Sequence, residues 1–290
     1  MTRRFKRLTA ILVLLAIAGI AGLWMVGTLL TRATPATVPP PPAPARLVWI
    51  ESSSQVRLAG SYWPTPRSGA PAILMLHGNG SSRMAMTETA AWLNQQGYAV
   101  LAVDLRGHGQ STATPKSFGF HEADDARSAL AWLRHANPGA RVGAIGFSLG
   151  GAAMLIGRQG PVPVDALVLE GVYPDIRHAI HNRLALRLGH WPARLIEPLL
   201  SYQSLPRYGV WPEALSPVEA LSRVEEPVMV VGGGEDTNTP PAETRALYDR
   251  IKDHGTLQIL HGVSHDDLGR NLPDTFKANL LGFLDRNLRP

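Results

Sequence analysis

Residues 142–151 read Val-Gly-Ala-Ile-Gly-Phe-Ser-Leu-Gly-Gly, an apolar run that ends in a serine flanked by glycines. The pattern Gly146-x-Ser148-x-Gly150 follows a stretch of strand length and precedes a helical stretch that begins at Leu149. Glycines at these positions permit a sharp strand-to-helix turn and a close approach of neighbouring backbone. The segment therefore predicts a serine hydroxyl lifted off the end of a sheet. A glycine-rich packing turn without a chemical role is the alternative.

Apolar runs of strand length alternate with helical patterns along the rest of the chain. The predicted strands are 47–50, 56–63 after a turn at Ser52-Ser53-Ser54, 72–76, 98–103, 142–147, 166–169, 228–231 and 257–260. The predicted helices are 83–96, 121–136, one that Thr239 caps, and 276–288. Near-continuous apolar strands that alternate with helices are typical of a mostly parallel sheet covered on both faces. Segment 171–227 is too long for a simple connection and predicts a small helical lid.

The N-terminal region predicts a membrane anchor. Leu8–Leu30 carries no charged residue, and at about 1.5 Å per residue it reaches roughly 35 Å, enough to cross a hydrocarbon core. Basic residues precede this run and only Arg32 closely follows it, which predicts a cytoplasmic N-terminus and an exported remainder. The preceding basic residues are Arg3, Arg4, Lys6 and Arg7. A cleavable signal peptide, cut near the small residues 33–36, is the alternative.

A Pro-rich linker, residues 31–45, follows the anchor and contains six prolines. Such a run favours the polyproline II conformation and predicts a semi-rigid spacer, with an SH3-type ligand as the alternative. We therefore expect a cytoplasmic basic tail and transmembrane signal-anchor at 1–30, the linker at 31–45, and one α/β domain at 46–290 with its lid at about 171–227.

Composition excludes several classes of site and partner. The absence of cysteine excludes disulfides, a thiol nucleophile and cysteine-ligated metals. The net charge of +5 comes from the N-terminal tail, because without its four basic residues 24 of the 28 Lys and Arg remain against 23 Asp and Glu. Nucleic acid is therefore not an expected partner. His121-Glu122 lacks the second histidine of a zinc motif, and the glycine runs lack dinucleotide or P-loop spacing, so neither a metal nor a cofactor is expected.

Further polar motifs follow other predicted strands. They are His77-Gly78-Asn79-Gly80, Asp104-x-Arg106-Gly107-His108-Gly109-x-Ser111, Gly233-x-x-Asp236 followed by Thr239-Pro240, and Gly262-Val263-Ser264-His265. With the glycine-serine turn, they make residues 46–290 resemble the α/β-hydrolase superfamily. Within it, the chain is most similar to serine hydrolases with a helical cap, of the Bem46-like or serine-aminopeptidase-like kind. The resemblance implies the α/β-hydrolase fold and a catalytic triad, and it says little about the substrate.

The resemblance assigns Ser148 as the nucleophile, Asp236 as the acid and His265 as the base, in the chain order that this fold uses. The residue types fit these roles, because a serine hydroxyl needs an imidazole to take its proton and a carboxylate to hold that imidazole. Asp236 and His265 each follow a predicted strand, where open α/β sheets bind ligands. The oxyanion hole is expected from the backbone N–H groups of Leu149 and Asn79.

Some of these assignments have rivals. Glu235 adjoins Asp236, and Glu170 ends the strand before the lid, so either carboxyl is an alternative acid. His261 is the alternative base.

Other polar residues near the motifs are expected to be structural. His77 is expected to orient its own loop. Asp104, Arg106 and His108 are expected to satisfy one another in an architectural loop, with a chemical role as the alternative.

These observations predict a membrane-anchored serine hydrolase that cleaves a carboxylic ester through a Ser-His-Asp triad and an acyl-enzyme intermediate. Thioesterase, peptidase or acyltransferase activity on the same triad is an alternative, and so is a non-catalytic tethered binding protein with a hydrolase-like fold. The expected partners are a small-molecule or lipid-like ester and the membrane. The domain is expected to be exported, into the periplasm if the source is bacterial.

The sequence of the lid also predicts a contact with the membrane. Residues 178–188 mix apolar side chains with Arg183 and Arg187, which predicts a partly amphipathic helix. On a linker that reaches roughly 45 Å when extended, this helix is predicted to touch anionic headgroups and admit a lipid-like ester. An ordinary solvated basic surface over a small-molecule pocket is the alternative.

Overall fold

The computed structural model describes residues 3–52, 55–67, 69–269 and 273–289, so Ser53 and Ser54 of the predicted turn lie outside the described residues. The strands are β1 (Thr34–Pro35), β2 (Arg46–Glu51), β3 (Arg57–Trp63), β4 (Ala72–Leu76), β5 (Ala99–Val103), β6 (His108–Gly109), β7 (Val142–Phe147), β8 (Ala166–Glu170), β9 (Val228–Gly233) and β10 (Gly255–Leu260). The helices are α1 (Arg3–Thr31), α2 (Thr87–Gln95), α3 (Glu122–Ala136), α4 (Leu149–Leu155), α5 (Ile176–Leu188), α6 (His190–Ser201), α7 (Ser204–Tyr208), α8 (Pro217–Leu221), α9 (Pro241–Tyr248) and α10 (Asp274–Leu288).

The central sheet has eight strands in the order β10-β9-β8-β7-β4-β5-β3-β2. The strands from β10 to β5 pair in parallel, whereas β3 pairs antiparallel with both β5 and β2. β4, β5 and β8 are buried along their whole length, as expected for strands covered on both faces. The mostly parallel sheet with helices on both faces is therefore confirmed.

Successive side chains of one strand supply two separate cores. Leu74 and Leu76 of β4 pack in a cluster with apolar residues of α3 and α4. Ile73 and Met75 point to the opposite face and pack with residues of α2 and α10. Each such side chain contributes about 1.5–3 kcal/mol when it is fully buried. The two cores pack on opposite faces of the sheet and fix the positions of the loops at its carboxyl edge.

The lid region lies between β8 and β9 in the chain and contains α5, α6, α7 and α8. Asp175 caps the N-terminus of α5, and its carboxylate accepts a hydrogen bond from the His178 N–H at 2.9 Å. α5 and α6 pack against each other, and α6 also contacts α1. α1 is long and apolar enough between Arg7 and Thr31 to cross a membrane.

The Pro-rich linker lies on the domain instead of extending as a spacer, contrary to the prediction. The backbone N–H groups of Thr34 and Ala36 donate to the carbonyl oxygens of Gly107 and Gly109, at 2.6 and 2.8 Å. These bonds pair β1 in parallel with β6. Because backbone amides at 34–36 find partners on the domain, the linker is held against its surface.

Candidate active site

Ser148 occupies the turn between β7 and α4, near the middle of the sheet. Its φ is 49° and its ψ is −109°, a positive-φ conformation that non-glycine residues rarely adopt. The turn is held by a hydrogen bond from the Ser148 N–H to the carbonyl oxygen of Glu170, at 2.8 Å. It also needs Gly150, because a Cβ there would lie 2.2 Å from the carbonyl oxygen of Leu76. The tight turn thus brings the serine to the carboxyl edge of the sheet.

His265 and Asp236 follow β10 and β9, and Nδ1 of His265 lies 2.6 Å from Oδ2 of Asp236. The other oxygen, Oδ1, accepts the backbone N–H groups of Asn238 and Thr239 at 2.8 and 2.7 Å. A carboxylate only accepts hydrogen bonds, so Nδ1 of the neutral ring carries the proton and Nε2 keeps a lone pair. His265 and Ser148 line the same cavity. The structure therefore brings together the three side chains that the sequence motifs singled out.

The rival residues are placed differently. Glu235 and His261 are exposed and line neither of the cavities at Ser148. Glu170 is buried at the end of β8, and its Oε1 has no hydrogen-bond partner in the described part of the chain. Burial raises the pKa of Glu170 to about 7. Among these carboxyls, Asp236 alone is hydrogen-bonded to His265 in the described residues.

The expected oxyanion donors lie on two different elements. Leu149 is the first residue of α4, and Asn79 lies in the loop after β4. Both residues line the cavity that contains Ser148. A backbone N–H in the first turn of a helix has no partner within that helix, and the Leu149 N–H belongs to that first turn.

His77 holds the loop that carries Asn79. Its Nε2 accepts the Leu105 N–H at 3.1 Å, and its Nδ1 lies 2.8 Å from the carbonyl oxygen of Gly78. Burial lowers the pKa of His77 to about 4, so the ring is neutral and donates through Nδ1. As predicted, this histidine orients its loop.

The loop 104–111 contains buried charges that are paired. Asp104 forms an ion pair with Arg83, and Arg106 forms one with Asp125 at 2.8 Å. Burial is the main cause that lowers the pKa of His108 to about 4. Asp104, Arg106 and His108 line neither cavity at Ser148. The partners of Asp104 and Arg106 in these ion pairs are Arg83 and Asp125, outside the loop, so the prediction that the loop residues satisfy one another is wrong in its partners. The buried ion pairs are consistent with an architectural role for the loop.

Two cavities meet at Ser148. We call the larger one, of about 430 Å³, the apolar cavity, because most of its lining side chains are aliphatic or aromatic. It is lined by Val26, Leu30, Phe118, Leu149, Tyr173, Ile176, Ala179, Ile180, Leu184, Leu186 and Leu200 together with Asn79, Ser148, Arg183, Arg187 and Asn238. We call the smaller one, of about 210 Å³, the polar cavity, because Ser81, Asp266 and His265 are among its lining residues. Asn79, Ser148, Arg183 and Asn238 line both cavities.

Arg183 does not face outward, contrary to the prediction for the lid helix. Its side chain lines both cavities beside Ser148, and its Nη1 donates to the carbonyl oxygen of Ala179 at 2.9 Å. Burial lowers the pKa of Arg183, and no carboxylate among the described residues forms an ion pair with it. Arg187 is exposed, as predicted, and lies at the edge of the apolar cavity.

Sequence reasoning missed the contribution of α1 to the apolar cavity. Val26 and Leu30 lie in the charge-free run that predicts a membrane span, and nothing in that run marks them as cavity residues. Their role depends on where the lid packs, which no local pattern records. Over the residues that the structure describes, no group of His, Asp and Glu side chains is arranged to hold a metal ion.

Comparisons with known proteins agree with this fold. The family model of the serine aminopeptidases of family S33 matches residues 68–210. The protein Rv2307c of Mycobacterium tuberculosis is 31% identical over 232 residues, which cover 77% of this chain and 73% of that protein. The chain belongs to the α/β-hydrolase superfamily.

Solved structures of α/β hydrolases share the fold. The esterase Pf2001 of Pyrococcus furiosus superposes with a TM-score of 0.67 at 22% identity, and the match covers 89% of this chain and 98% of the esterase. The acylaminoacyl peptidase of Pyrococcus horikoshii superposes with a TM-score of 0.61 at 18% identity, over 84% of this chain and 41% of the peptidase. These α/β-hydrolase neighbours include both an esterase and a peptidase, so the shared fold does not choose between their substrates.

Proposed function

We propose that this chain is a membrane-anchored serine hydrolase that cleaves carboxylic esters through an acyl-enzyme on Ser148. The observation that carries the proposal is the 2.6 Å contact between His265 Nδ1 and Asp236 Oδ2, with Ser148 on the same cavity as His265. A neutral imidazole held in this tautomer presents Nε2 as a base. The strained φ of Ser148 is a further support, because strain of this kind concentrates at functional sites.

The proposed reaction has two halves. In the first, His265 Nε2 takes the proton of the Ser148 hydroxyl while Oγ attacks the ester carbonyl carbon, and the N–H groups of Leu149 and Asn79 bind the resulting oxyanion. The tetrahedral adduct collapses to the acyl-enzyme, and the imidazolium returns its proton to the departing alcohol. In the second half, His265 deprotonates water, which attacks the acyl-enzyme, and the proton returns to Ser148 Oγ as the acid leaves.

The two cavities favour an ester with an apolar acyl group and a polar alcohol. Aliphatic lining suits an acyl chain, and a cavity of about 430 Å³ is within the usual range for small-molecule sites. The polar cavity takes the alcohol in this proposal. Arg183, which has no carboxylate ion-pair partner among the described residues, then favours an alcohol that carries a negative charge near the ester.

In this proposal, helix α1 also anchors the enzyme in the membrane. Helix α1 crosses the membrane between Arg7 and Thr31, with the hydrolase domain on the exported side. In a Gram-negative host with a permeabilised outer membrane, added protease is expected to degrade the domain while a cytosolic marker stays intact. Protection of the domain equal to that of the marker would refute export.

The full-length chain in detergent micelles provides the test of the activity. We expect a fluorophosphonate probe to label it, and we expect hydrolysis of p-nitrophenyl butyrate, with both signals abolished in Ser148→Ala. Thioester and aminoacyl-amide substrates measured alongside the ester separate the alternative hydrolase activities. Labelling that persists in Ser148→Ala would exclude Ser148 as the nucleophile. A correctly folded wild-type chain that neither labels nor hydrolyses any substrate would support a non-catalytic binding protein.

A further inference from the structure

The outer end of α1 is bound by the lid through polar contacts to its backbone. Arg207 donates to the carbonyl oxygen of Trp24 at 2.8 Å and to Thr28 Oγ1 at 3.0 Å, and its guanidinium lies 4.0 Å from the centroid of the Trp24 ring. Gln203 Nε2 donates to the carbonyl oxygen of Leu23 at 3.0 Å. An apolar helix that served only as an anchor would need no such contacts two turns inside its own end.

Gly27 lets the lid approach α1 closely. A Cβ at this position would lie 2.0 Å from Gln203 Oε1 and 3.0 Å from an Arg207 guanidinium nitrogen. At the other glycines of α1, Gly19 and Gly22, an added Cβ would meet nothing within 4 Å among the described residues. Among the three glycines of α1, Gly27 is thus the one at which the described lid approaches closely.

This packing makes α1 a wall of the apolar cavity. Val26 and Leu30, one turn apart, line the same cavity as Ser148. Val26 is 41% exposed, Leu30 is 45% exposed and Leu186 of the lid is 55% exposed, so these lining side chains mark a mouth of the cavity. An acyl chain that starts at Ser148 and fills this cavity ends against α1.

The mouth lies at the level where α1 leaves a membrane. A hydrocarbon core takes about 20 helical residues, which from Arg7 places its outer boundary near Val26. The neighbouring helix α6 presents exposed apolar side chains at Trp191, Leu195 and Leu199, spaced four residues apart on one face. Tryptophan beside aliphatic residues suits the boundary between headgroups and acyl chains. The charged Glu197 of α6 is turned inward and pairs with Arg177.

We propose that the outer end of α1 is part of the acyl-binding site and that the substrate is a long-chain acyl ester, bound at the membrane surface with its chain against Val26 and Leu30. This inference rests on the proposed esterase function and adds the chain length and a second role for the anchor. The helix then selects substrates as well as holding the enzyme at the membrane.

The test compares lining and lipid-facing residues of α1 in the full-length chain, reconstituted in phosphatidylcholine nanodiscs. Val26→Trp and Leu30→Trp narrow the cavity, and Met25→Trp and Leu29→Trp are matched controls, since Met25 and Leu29 are both 59% exposed and line neither cavity at Ser148. The readout is kcat/KM for p-nitrophenyl laurate divided by kcat/KM for p-nitrophenyl butyrate. We expect this ratio to fall about tenfold in the lining variants and to stay unchanged in the controls. A tenfold fall corresponds to about two methylene groups of the acyl chain that are no longer buried in the apolar cavity.

The outcomes separate the two proposals. If the wild-type chain hydrolyses butyrate and the ratio is the same in lining and control variants, the α1 inference is overturned and the esterase function stands. If the folded wild-type chain hydrolyses neither ester, the proposed function fails and the inference fails with it.

A glycine pair gives an independent measurement. Gly27→Leu is expected to displace Gln203 and Arg207 from α1 and to lower the laurate-to-butyrate ratio, whereas Gly22→Leu adds the same side chain where α1 meets nothing among the described residues. Near-UV circular dichroism and fluorophosphonate labelling report whether each variant is folded. Equal ratios in the two folded glycine variants would contradict a functional α1–lid contact.

Discussion

The carboxylate of Asp236 contacts His265 through one oxygen and its own loop through the other. Oδ2 lies 2.6 Å from His265 Nδ1, while Oδ1 accepts the N–H groups of Asn238 and Thr239. The backbone bonds fix the carboxylate before any substrate is bound. The carboxylate in turn fixes the orientation and tautomer of the His265 imidazole.

Asp236→Asn is expected to lower turnover of p-nitrophenyl butyrate by about 10⁴-fold, because an amide in place of a triad carboxylate favours the wrong imidazole tautomer. Glu170→Gln is the matched control, since it makes the same change at the rival carboxyl and is expected to retain most of the activity. Steady-state measurement of kcat for the two folded variants shows which carboxyl is the acid of the triad. A damaging Glu170→Gln beside a nearly silent Asp236→Asn would reverse the assignment of the acid.

Glu170 is expected to make stability depend on pH. Burial raises its folded-state pKa from 4.5 to about 7, so the folded chain binds its proton more tightly than the unfolded chain does. Stability is therefore lost as pH rises from about 4.5 to about 7, by at most about 3–4 kcal/mol at about 1.4 kcal/mol per pKa unit. Glu170→Gln is expected to abolish this loss. The free energy of unfolding of Glu170→Gln minus that of the wild type is therefore expected to increase between pH 4.5 and pH 8.

Denaturant unfolding of the two chains at both pH values measures this effect. Glu235→Gln, at an exposed carboxyl, serves as the control and is expected to show no such trend. If the difference between Glu170→Gln and wild type is the same at both pH values, the buried carboxyl does not titrate as described.

The ion pair between Asp104 and Arg83 is expected to support the fold and not the chemistry. Asp104→Asn leaves the buried Arg83 guanidinium without its counter-charge, which typically costs about 3–5 kcal/mol. Glu51→Gln breaks the exposed pair with Arg57 and is expected to cost about 0–1 kcal/mol. Unfolding free energies test both. An unchanged stability with complete loss of fluorophosphonate labelling in Asp104→Asn would instead indicate a chemical role.

Arg183 is expected to select esters with an anionic alcohol. Arg183→Gln removes the cation beside Ser148, and a hydrogen bond to a charged group contributes about 1.5–3 kcal/mol, so kcat/KM for the para-sulfonate of phenyl butyrate is expected to fall about tenfold or more. Uncharged phenyl butyrate is expected to lose much less. Arg187→Gln changes an exposed arginine of the same helix and is the control. An equal loss on both esters would argue against recognition of charge.

The sequence was sufficient for the features that depend on neighbouring residues along the chain. The glycine spacing around Ser148 predicts the turn because only residues without a Cβ fit where Gly150 meets the Leu76 carbonyl. Continuous apolar runs predict buried parallel strands, since a strand covered on both faces has no solvent side. The length of the charge-free run predicts α1, because the ability of a helix to cross a bilayer depends on the residues of that one segment.

Long-range packing settled the rest, because contacts between distant segments leave no local pattern. Glu170 ends β8 and Asp236 follows β9 at the same edge of the sheet, and only the loop geometry after β9 brings one of these two carboxyls to His265. Arg183 reads as a surface residue of a basic helix, yet the packing of α5 turns it toward Ser148. Val26 and Leu30 become cavity residues only when α6 and Arg207 dock on α1, a juxtaposition set by the shapes of two segments about 180 residues apart in sequence.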